Sequence, residues 1–528
     1  MNILRNNWLA AIVLAGGLTA CTGGLEEANV DPNKMLVGDI NPYGMFEPLL
    51  YNGGATWQNY TWYWNNELMQ FTAFTGGVTR EEHRYKISDG DWKGVWNKYS
   101  GFANNAVHMY DLAAQRDDRA VEAVALTLKV LNMYNLTDMH GDIPYSEAFQ
   151  ARTPGGTTKP KFDSQADVYR QMFDELERAN KLYAESPVFQ KPELDGMYKG
   201  NMKAWQKFNN SLYLRLLCRV SGRSEMNVGQ KITAILSDPA TYPVFTSNAD
   251  NAVVNFSGIK PYASYFDAMN EGNFTTSGRK LTTQLIKMTV VTEGNLQVYE
   301  DPRLAIYGRK NPNATVEVDK VKVNIWKGTV GGCTREEMNS VDAGAALLNY
   351  GVLCRSNASA TFMDFAEVQF IYAEAALKGL ISGGEAKAKT YYEAAVRASL
   401  EKWGALGSFS LTPMTITEND ATLFLNSKLA SWENATNKEE LVGNQKFLAL
   451  FWVGMEAYHE YRRTGYPTLT IGAGTDYNDF QFPSRFGYSS VTLATNHANA
   501  EEALERMGGA NDMKTPVWWS LKAINNSK

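Results

Sequence analysis

The segment NQKFLALFWVGMEAYHEYRRTGYP, residues 444–467, carries the clearest helical period in the chain. Phe447, Phe451, Gly454, Tyr458 and Tyr461 recur at steps of four and three, so they share one face. Leu448, Trp452 and Met455 widen that face, and Lys446, Glu456, Glu460 and Arg463 fall on the other side. Arg462 and Arg463 suit the negative end of a helix, Gly465 can take the left-handed position beyond it, and Pro467 stops continuation. The spacing predicts one helix whose aromatic face is buried against other helices.

The same period recurs along the chain. Trp57, Tyr60, Trp64, Leu68 and Phe71 form one stripe and Val121, Val124, Leu128, Leu131 and Tyr134 another. Further stripes are Val168, Met172, Leu176, Ala179 and Tyr183; Trp205, Phe208, Leu212 and Leu216; and Phe365, Val368, Tyr372 and Ala375. Ser164 with Asp167, and Asp364 with Glu367, read as N-terminal caps. Lys207, Ser211, Arg215 and Arg219 share a face suited to pairing with carboxylates of a neighbouring helix. From about residue 240 to 360 the rhythm weakens into long loops, which in compact proteins are usually functional or disordered. There Val316, Val318, Val321 and Val323 alternate around Asp319-Lys320, the pattern of a small hairpin. The expected fold is mainly α, with helical hairpins and a loop-rich second half holding minor β structure.

The N-terminus reads as a leader. Arg5 gives a thin positive region, residues 8–18 an apolar stretch too short to span a bilayer, and LTAC at residues 18–21 has the form of a lipoprotein-processing site. Cys21 is then the expected lipidation site, where acyl chains, palmitate among them, anchor the mature chain. Residues 1–20 are the expected signal peptide, residues 21–36 a flexible tether, and residues 37–528 one folded unit. Removing residues 1–20, whose one charged side chain is Arg5, takes the formal charge from −6 to −7. This mild acidity argues against nucleic acid and against an anionic membrane surface as partners. Only Cys218, Cys333 and Cys354 remain, which is neither a disulfide framework nor a zinc site, although Cys333 and Cys354 could pair.

Catalytic constellations are missing. No H-E-x-x-H, G-x-S-x-G, phosphate-binding loop or cysteine pair at metal spacing occurs, and five histidines leave little room for imidazole chemistry. His140 and Asp142 read better as a helix terminus with a cap than as an acid–base pair. Asp89-Gly90-Asp91 lacks the length and distal glutamate of a calcium loop and reads as an exposed turn. No cofactor and no metal are expected. A two-carboxylate glycosidase is not excluded by counting carboxylates.

Three stretches carry a family resemblance. KFLALFWVGMEAYHEYRRTGYP resembles the late signature helix of the SusD/RagB family of nutrient-binding surface lipoproteins. HGDIPYSEA at residues 140–148 resembles the family's Y-G-D-I-P-Y-S-E-A turn, with His140 where tyrosine is commoner. WQKFNNSLYLRL at residues 205–216 resembles its W-x-K-F-A-N-S-L-x-L-R-L helix, with Asn209 in place of alanine. The helical pair around residues 365–404 and the closing segment with MKTPVWW fit as well. The resemblance implies tetratricopeptide-like helical hairpins, a place in the outer membrane facing outwards, and no enzymatic activity. It also implies delivery of nutrient oligomers to a SusC-like TonB-dependent barrel on which the protein sits as a lid. A free-standing glycan adhesin and a surface glycoside hydrolase are the alternatives.

The ligand is expected to be an oligosaccharide in preference to an oligopeptide, because sugar faces stack on aromatic rings while polar groups read hydroxyls. Trp62 and Tyr63 lie off the apolar stripe of their segment and are expected to be exposed. With Tyr85, Trp92, Tyr262, Tyr265 and Arg80 they make up the expected ligand-binding set, each having core packing as its competing reading. Residues 80–92 show no period and read as a loop.

Overall fold

The computed structural model describes residues 40–77 and 79–526. The expected signal peptide 1–20, the lipidation site Cys21 and the tether 21–36 lie outside the described residues.

Helices dominate, and most begin where a polar side chain meets an orphan N–H. Helix α1 is Tyr43–Tyr60. Helix α2 is Asp89–Ala114, opened by a reciprocal Ser88–Asp91 capping box, and α3 is Arg119–His140, capped by Asp118. They are followed by α4, Gln165–Ala184, capped by Ser164, and α5, Met202–Arg219, capped by Asn201. Asp364 caps α6, Phe365–Leu377, which leads to α7, Gly384–Gly404. Asn437 caps α8, Lys438–Ala449, and α9 is Glu456–Thr464. Successive helices pack against each other as hairpins, α2 on α3, α3 on α4 and α6 on α7. The apolar stripes face these contacts: Val121, Val124, Leu128, Leu131 and Tyr134 are all buried.

Strands are short. They are β1 Thr72–Phe74, β2 Ala252–Val254, β3 Arg279–Leu281, β4 Val290–Glu293, β5 Leu296–Glu300, β6 Gly308–Arg309, β7 Thr315–Val318, β8 Val321–Asn324, β9 Leu347–Leu348 and β10 Ala360–Met363. One four-stranded antiparallel sheet has the order β1-β3-β9-β6, and β10-β2, β4-β5 and β7-β8 pair separately. The expected valine hairpin is β7–β8, turning through Asp319 and Lys320 at φ 49° and 68°.

One expectation about residues 444–467 needs correction. The segment is two helices, not one, because Trp452 and Gly454 take φ of 67° and 54° and end α8 before α9 begins. A Cβ on Gly454 would lie 2.3 Å from Trp57, so the backbone here approaches the α1 ring closely. The charged side of the segment is also buried. Lys446, Glu456, Glu460, Arg462 and Arg463 join Asp138, Arg215, Arg219, Glu367 and Glu374 in a layer of five cations and five carboxylates.

Its geometry is close-knit. Arg215 grips Glu367 in a fork, with Nε and Nη2 each 2.6 Å from a carboxylate oxygen. Arg219 donates to Glu456 at 2.5 Å and Tyr134 donates to the other Glu456 oxygen at 2.8 Å. Lys446 and Arg463 donate to Glu460 at 2.8 and 2.6 Å, and Arg463 also pairs with Glu374. Equal numbers and direct contacts are what make such burial tolerable. The arginine face of α5 thus finds carboxylates on α6 and α9, as its spacing predicts.

The C-terminal segment wraps the end of α3. Phe486 N donates to Met139 O, Arg485 donates to His140 O, the Tyr488 hydroxyl donates to Asp142 O and the Trp519 indole donates to Asp138. Asp142 accepts from Gln165 N at the start of α4 and pairs with Arg506, so it is a structural cap. Asp89-Gly90-Asp91 opens α2 instead of forming a free turn, which corrects the loop expected through residue 92. Cys333 and Cys354 do not pair: Cys218, Cys333 and Cys354 are free and buried.

Candidate functional site

Helix α1 does not end cleanly at Tyr60. Residues Thr61–Asn65 wind as one π turn before Asn66–Leu68 resumes the helix. A π turn inserts one residue into the period and re-aims the side chains after it, and such turns are frequent at functional sites. Thr61 Oγ1 donates to Trp57 O at 2.8 Å, and Asn65 Oδ1 accepts from Tyr458 N at 3.0 Å, so α9 pins the insertion from behind.

The π turn carries Trp62 and Tyr63. Trp62 is buried, at 8% exposure, against the expectation that it is open. Its indole lies parallel to Phe274 at 6.1 Å and edge-on to Phe266 at 6.3 Å. The Arg279 guanidinium sits 4.0 Å from the Trp62 ring and 5.2 Å from the Tyr63 ring. Arg279 comes from β3 and is only 2% exposed. Arg80 lies over Tyr63 at 4.4 Å, with an exposed side chain. Tyr265 is the open ring of the group, 37% exposed and 6.5 Å from Trp62. Four of the seven expected residues, Trp62, Tyr63, Arg80 and Tyr265, therefore come together, and Arg279 joins them.

Two carboxylates balance the two arginines. Glu67 lies 3.2 Å from Arg279, while Glu82 lies 3.8 Å from Arg279 and 4.0 Å from Arg80. Glu67 accepts from Thr72 Oγ1 at 2.6 Å and Phe74 N at 2.7 Å. Burial pushes its carboxyl up to about 7 despite the Arg279 charge, and burial raises Glu82 too. The result is a surface of one open ring, one half-buried ring and guanidinium donors held by cation–π contact. Such a surface can stack an apolar face and donate to hydroxyls.

The other three expected residues lie elsewhere. Tyr85 is 1% exposed, at φ 62°, with its ring edge-on to Phe482 at 5.7 Å, so it is core and not surface. Trp92, in the first turn of α2, packs against Gly487 of the C-terminal segment. Tyr262 is half-buried and stands with Tyr51 of α1, ring centres 4.8 Å apart.

Arg80 and Tyr265 of the cluster are exposed to solvent. A cavity of about 540 Å³ is lined by Asp142, Gln165, Arg223 and Trp518, and one of about 650 Å³ by Phe365, Arg397 and Ile416. A third, of about 140 Å³, abuts Lys446, Glu460 and Arg463 of the buried charge layer. Among the described residues no three His, Cys, Asp or Glu side chains converge as metal ligands would. No described helix is long and apolar enough to cross a membrane.

Sequence reasoning missed Arg279, Phe274 and Glu67. Arg279 and Phe274 lie in the aperiodic stretch, where no spacing singles them out. Glu67 is the polar position beside Leu68 in the aromatic stripe, and a lone glutamate in an apolar run was its available signal.

Helical hairpins thus carry an aromatic and arginine surface. The chain belongs to the SusD-like family: the family described as "Starch-binding associating with outer membrane" matches residues 33–489. Solved structures share the fold. A chitin-binding protein is 24% identical at a TM-score of 0.73, covering 91% of this chain and 100% of its own. A SusD homologue from Bacteroides fragilis NCTC 9343 is 23% identical at 0.73, covering 91% and 99%. A chitin-binding SusD homologue from Flavobacterium johnsoniae is 22% identical at 0.67, covering 90% and 98%. Among curated proteins nothing matches the chain. The SusD/RagB resemblance and the mainly helical fold expected from the sequence both hold.

Proposed function

We propose that the protein binds oligosaccharides through Tyr63, Arg80 and Tyr265, seated on the Trp62–Arg279 stack. The observation that supports this most is the open Tyr265 ring beside two arginines whose charge Glu67 and Glu82 balance. A ring face suits the C–H face of a sugar, and guanidinium groups suit its hydroxyls. The family's description as starch-binding and the chitin-binding relatives favour a glycan over a peptide. Strand β1 is the sheet edge nearest the site, but Glu67 already takes the Phe74 N–H, which disfavours addition of a peptide strand.

On this reading residues 1–20 are removed, Cys21 carries the lipid, and residues 37–528 act as one ligand-binding unit at the outer membrane. The ligand then passes to a SusC-like TonB-dependent barrel. The family's description as outer-membrane associating supports this placement. Recovery of such a barrel by affinity purification in mild detergent tests the partnership.

Titration calorimetry tests the site. The chain from residue 22 onwards is titrated with chito-, malto- and xylo-oligosaccharides and with a tryptic peptide digest. Saccharide heat is expected. Tyr265→Ala should weaken binding by up to about tenfold, since one stacked ring contributes roughly 0.5–1.5 kcal/mol beyond area burial. Heat from peptides alone overturns the reading.

A further inference from the structure

The side chains Glu47, Tyr51, Ala55, Gln58 and Trp62 follow each other at steps of four, four, three and four, so they lie along one face of α1 and its π extension. The loop of residues 256–266 runs along that face in the same direction. Near its start Phe256 is edge-on to Tyr51 at 5.6 Å. Tyr262 then leans on Tyr51, and Tyr265 N donates to Gln58 Oε1 at 2.9 Å before its ring approaches Trp62.

The loop is held in place. Ser264 N donates to Ser356 O and its hydroxyl donates to Arg355 O, both at 2.7 Å. Tyr262 N donates to Ile259 O at 2.8 Å, and Gly258 N donates to Tyr262 O at 3.2 Å. Two ring platforms therefore stand on one rigid support. One is Tyr265 with Tyr63, and the other is Tyr51 with Tyr262, both half-exposed. The half-exposed Glu47 carboxylate lies beside the Tyr262 hydroxyl, an acceptor for sugar hydroxyls next to the second platform. From Tyr51 to Trp62 the helix rises about 16 Å, at 1.5 Å per residue.

We infer that Tyr51 and Tyr262, with Glu47, form a second sugar-stacking platform in line with the first. The ligand is then a linear oligosaccharide laid along α1, and a disaccharide occupies one end alone. The inference rests on the oligosaccharide reading above and adds to it a second contact and a chain-length requirement.

The test uses the full chain in detergent and calorimetric titration with chito- and malto-oligosaccharides of two, four and six units. Affinity should rise severalfold, up to about tenfold, from two units to six in the series that binds, as one added ring contact allows. Tyr262→Ala should remove that rise and leave two-unit affinity unchanged, which also shows that the variant is folded. Tyr265→Ala should weaken every length. If affinity does not rise with length, or if Tyr262→Ala leaves six-unit binding unchanged, the second platform is overturned while the first stands. If neither series binds, the oligosaccharide reading falls and the second platform with it.

Discussion

Replacing Glu456 by glutamine should cost roughly 3 kcal/mol of folding stability, the low end of what breaking a buried ion pair costs. Glu456 is fully buried and serves two partners directly: Arg219 at 2.5 Å and the Tyr134 hydroxyl at 2.8 Å. Arg215 stands 3.6 Å away. The carboxamide is isosteric and keeps an acceptor for Tyr134, so packing changes little. What is lost is a charge, which leaves five buried cations facing four carboxylates. Arg215 keeps its fork to Glu367, so the burden falls on Arg219. Its remaining partners, Asp138 at 3.4 Å and Glu460 at 3.6 Å, are less well placed. Part of the loss is recovered because the Asp138 carboxyl, held up at about 6 chiefly by burial, is raised also by the Glu456 charge. Without it Asp138 ionises more readily and pairs more fully with Arg219. Equilibrium unfolding in urea, followed by tryptophan fluorescence, should show a lower midpoint at unchanged slope. Glu418→Gln is the control, because its pair with Arg397 is exposed and should not move the midpoint measurably. A Glu456→Gln loss no larger than that of the control would show that the layer is not held by charge pairing.

Other consequences concern the histidines and the break between α8 and α9. Burial lowers the His140 imidazole to about 3, so the folded chain keeps it neutral while the unfolded chain protonates near 6.5. The stability this gives is complete above pH 6.5 and falls as pH drops towards 3, by roughly 3 kcal/mol at pH 4. The stability difference between the native protein and His140→Asn should therefore shrink or reverse between pH 7.5 and 4; a difference independent of pH refutes it. Gly454→Ala should destabilise by roughly 2–4 kcal/mol, combining a left-handed backbone with overpacking against Trp57. Thermal unfolding of that variant within 1 °C of the native protein would count against the close approach, since roughly 1 kcal/mol moves the midpoint by about 1 °C in a chain this large.

Periodicity read the helices well because burial of an apolar stripe is a local pattern with a global cause. The stripe at residues 121–134 needs no knowledge of its partner to be recognised. The same pattern could not tell a buried charge from a solvated one. Glu456 and Glu460 sit opposite an aromatic face and look solvent-facing. Lys446 is within the segment, but the partners Arg215 and Arg219 arrive from α5, and no spacing within the segment announces them. The break after α8 was hidden for a related reason. Gly454 is the one residue there that adopts a left-handed backbone without penalty, but the aromatic period runs straight through it. The exposure expected of Trp62 failed because the end of α1 is covered on more than its stripe: Trp57, Tyr60 and Trp64 are buried as expected, and Phe266 and Phe274 from the aperiodic stretch cover Trp62 as well. Tyr85 was misplaced because a tyrosine in an aperiodic stretch gives no sign of which way it points. Tyr265 was found through its residue type and loop context. Arg279, which anchors the group, sits in a three-residue strand too short to show alternation.

The segment that reveals the fold also positions the site. Trp452, in its left-handed position between α8 and α9, packs on Phe266 at 5.8 Å and Phe274 at 6.1 Å. Those are the two rings that clasp Trp62. Gly454 O accepts from Thr61 Oγ1 at 3.4 Å, and Tyr458 N donates to Asn65, so the break and the start of α9 meet both ends of the π turn. Phe447 stacks on Phe71 at 4.0 Å just beyond it, next to strand β1. A straight helix through residues 450–455 would withdraw Trp452 and Gly454 O together and leave the π turn unsupported. The buried charge layer fixes α9 from the opposite side, where Arg219 and Lys446 hold Glu456 and Glu460. The proposed ligand surface is thus built on three supports that sequence distance separates widely: the π turn, the broken helix and the charge layer. Apolar packing alone is forgiving of small shifts, whereas directional ion pairs are not. That argues for the charge layer as the element that sets where α9, and through the Tyr458–Asn65 bond the π turn carrying Tyr63, come to rest.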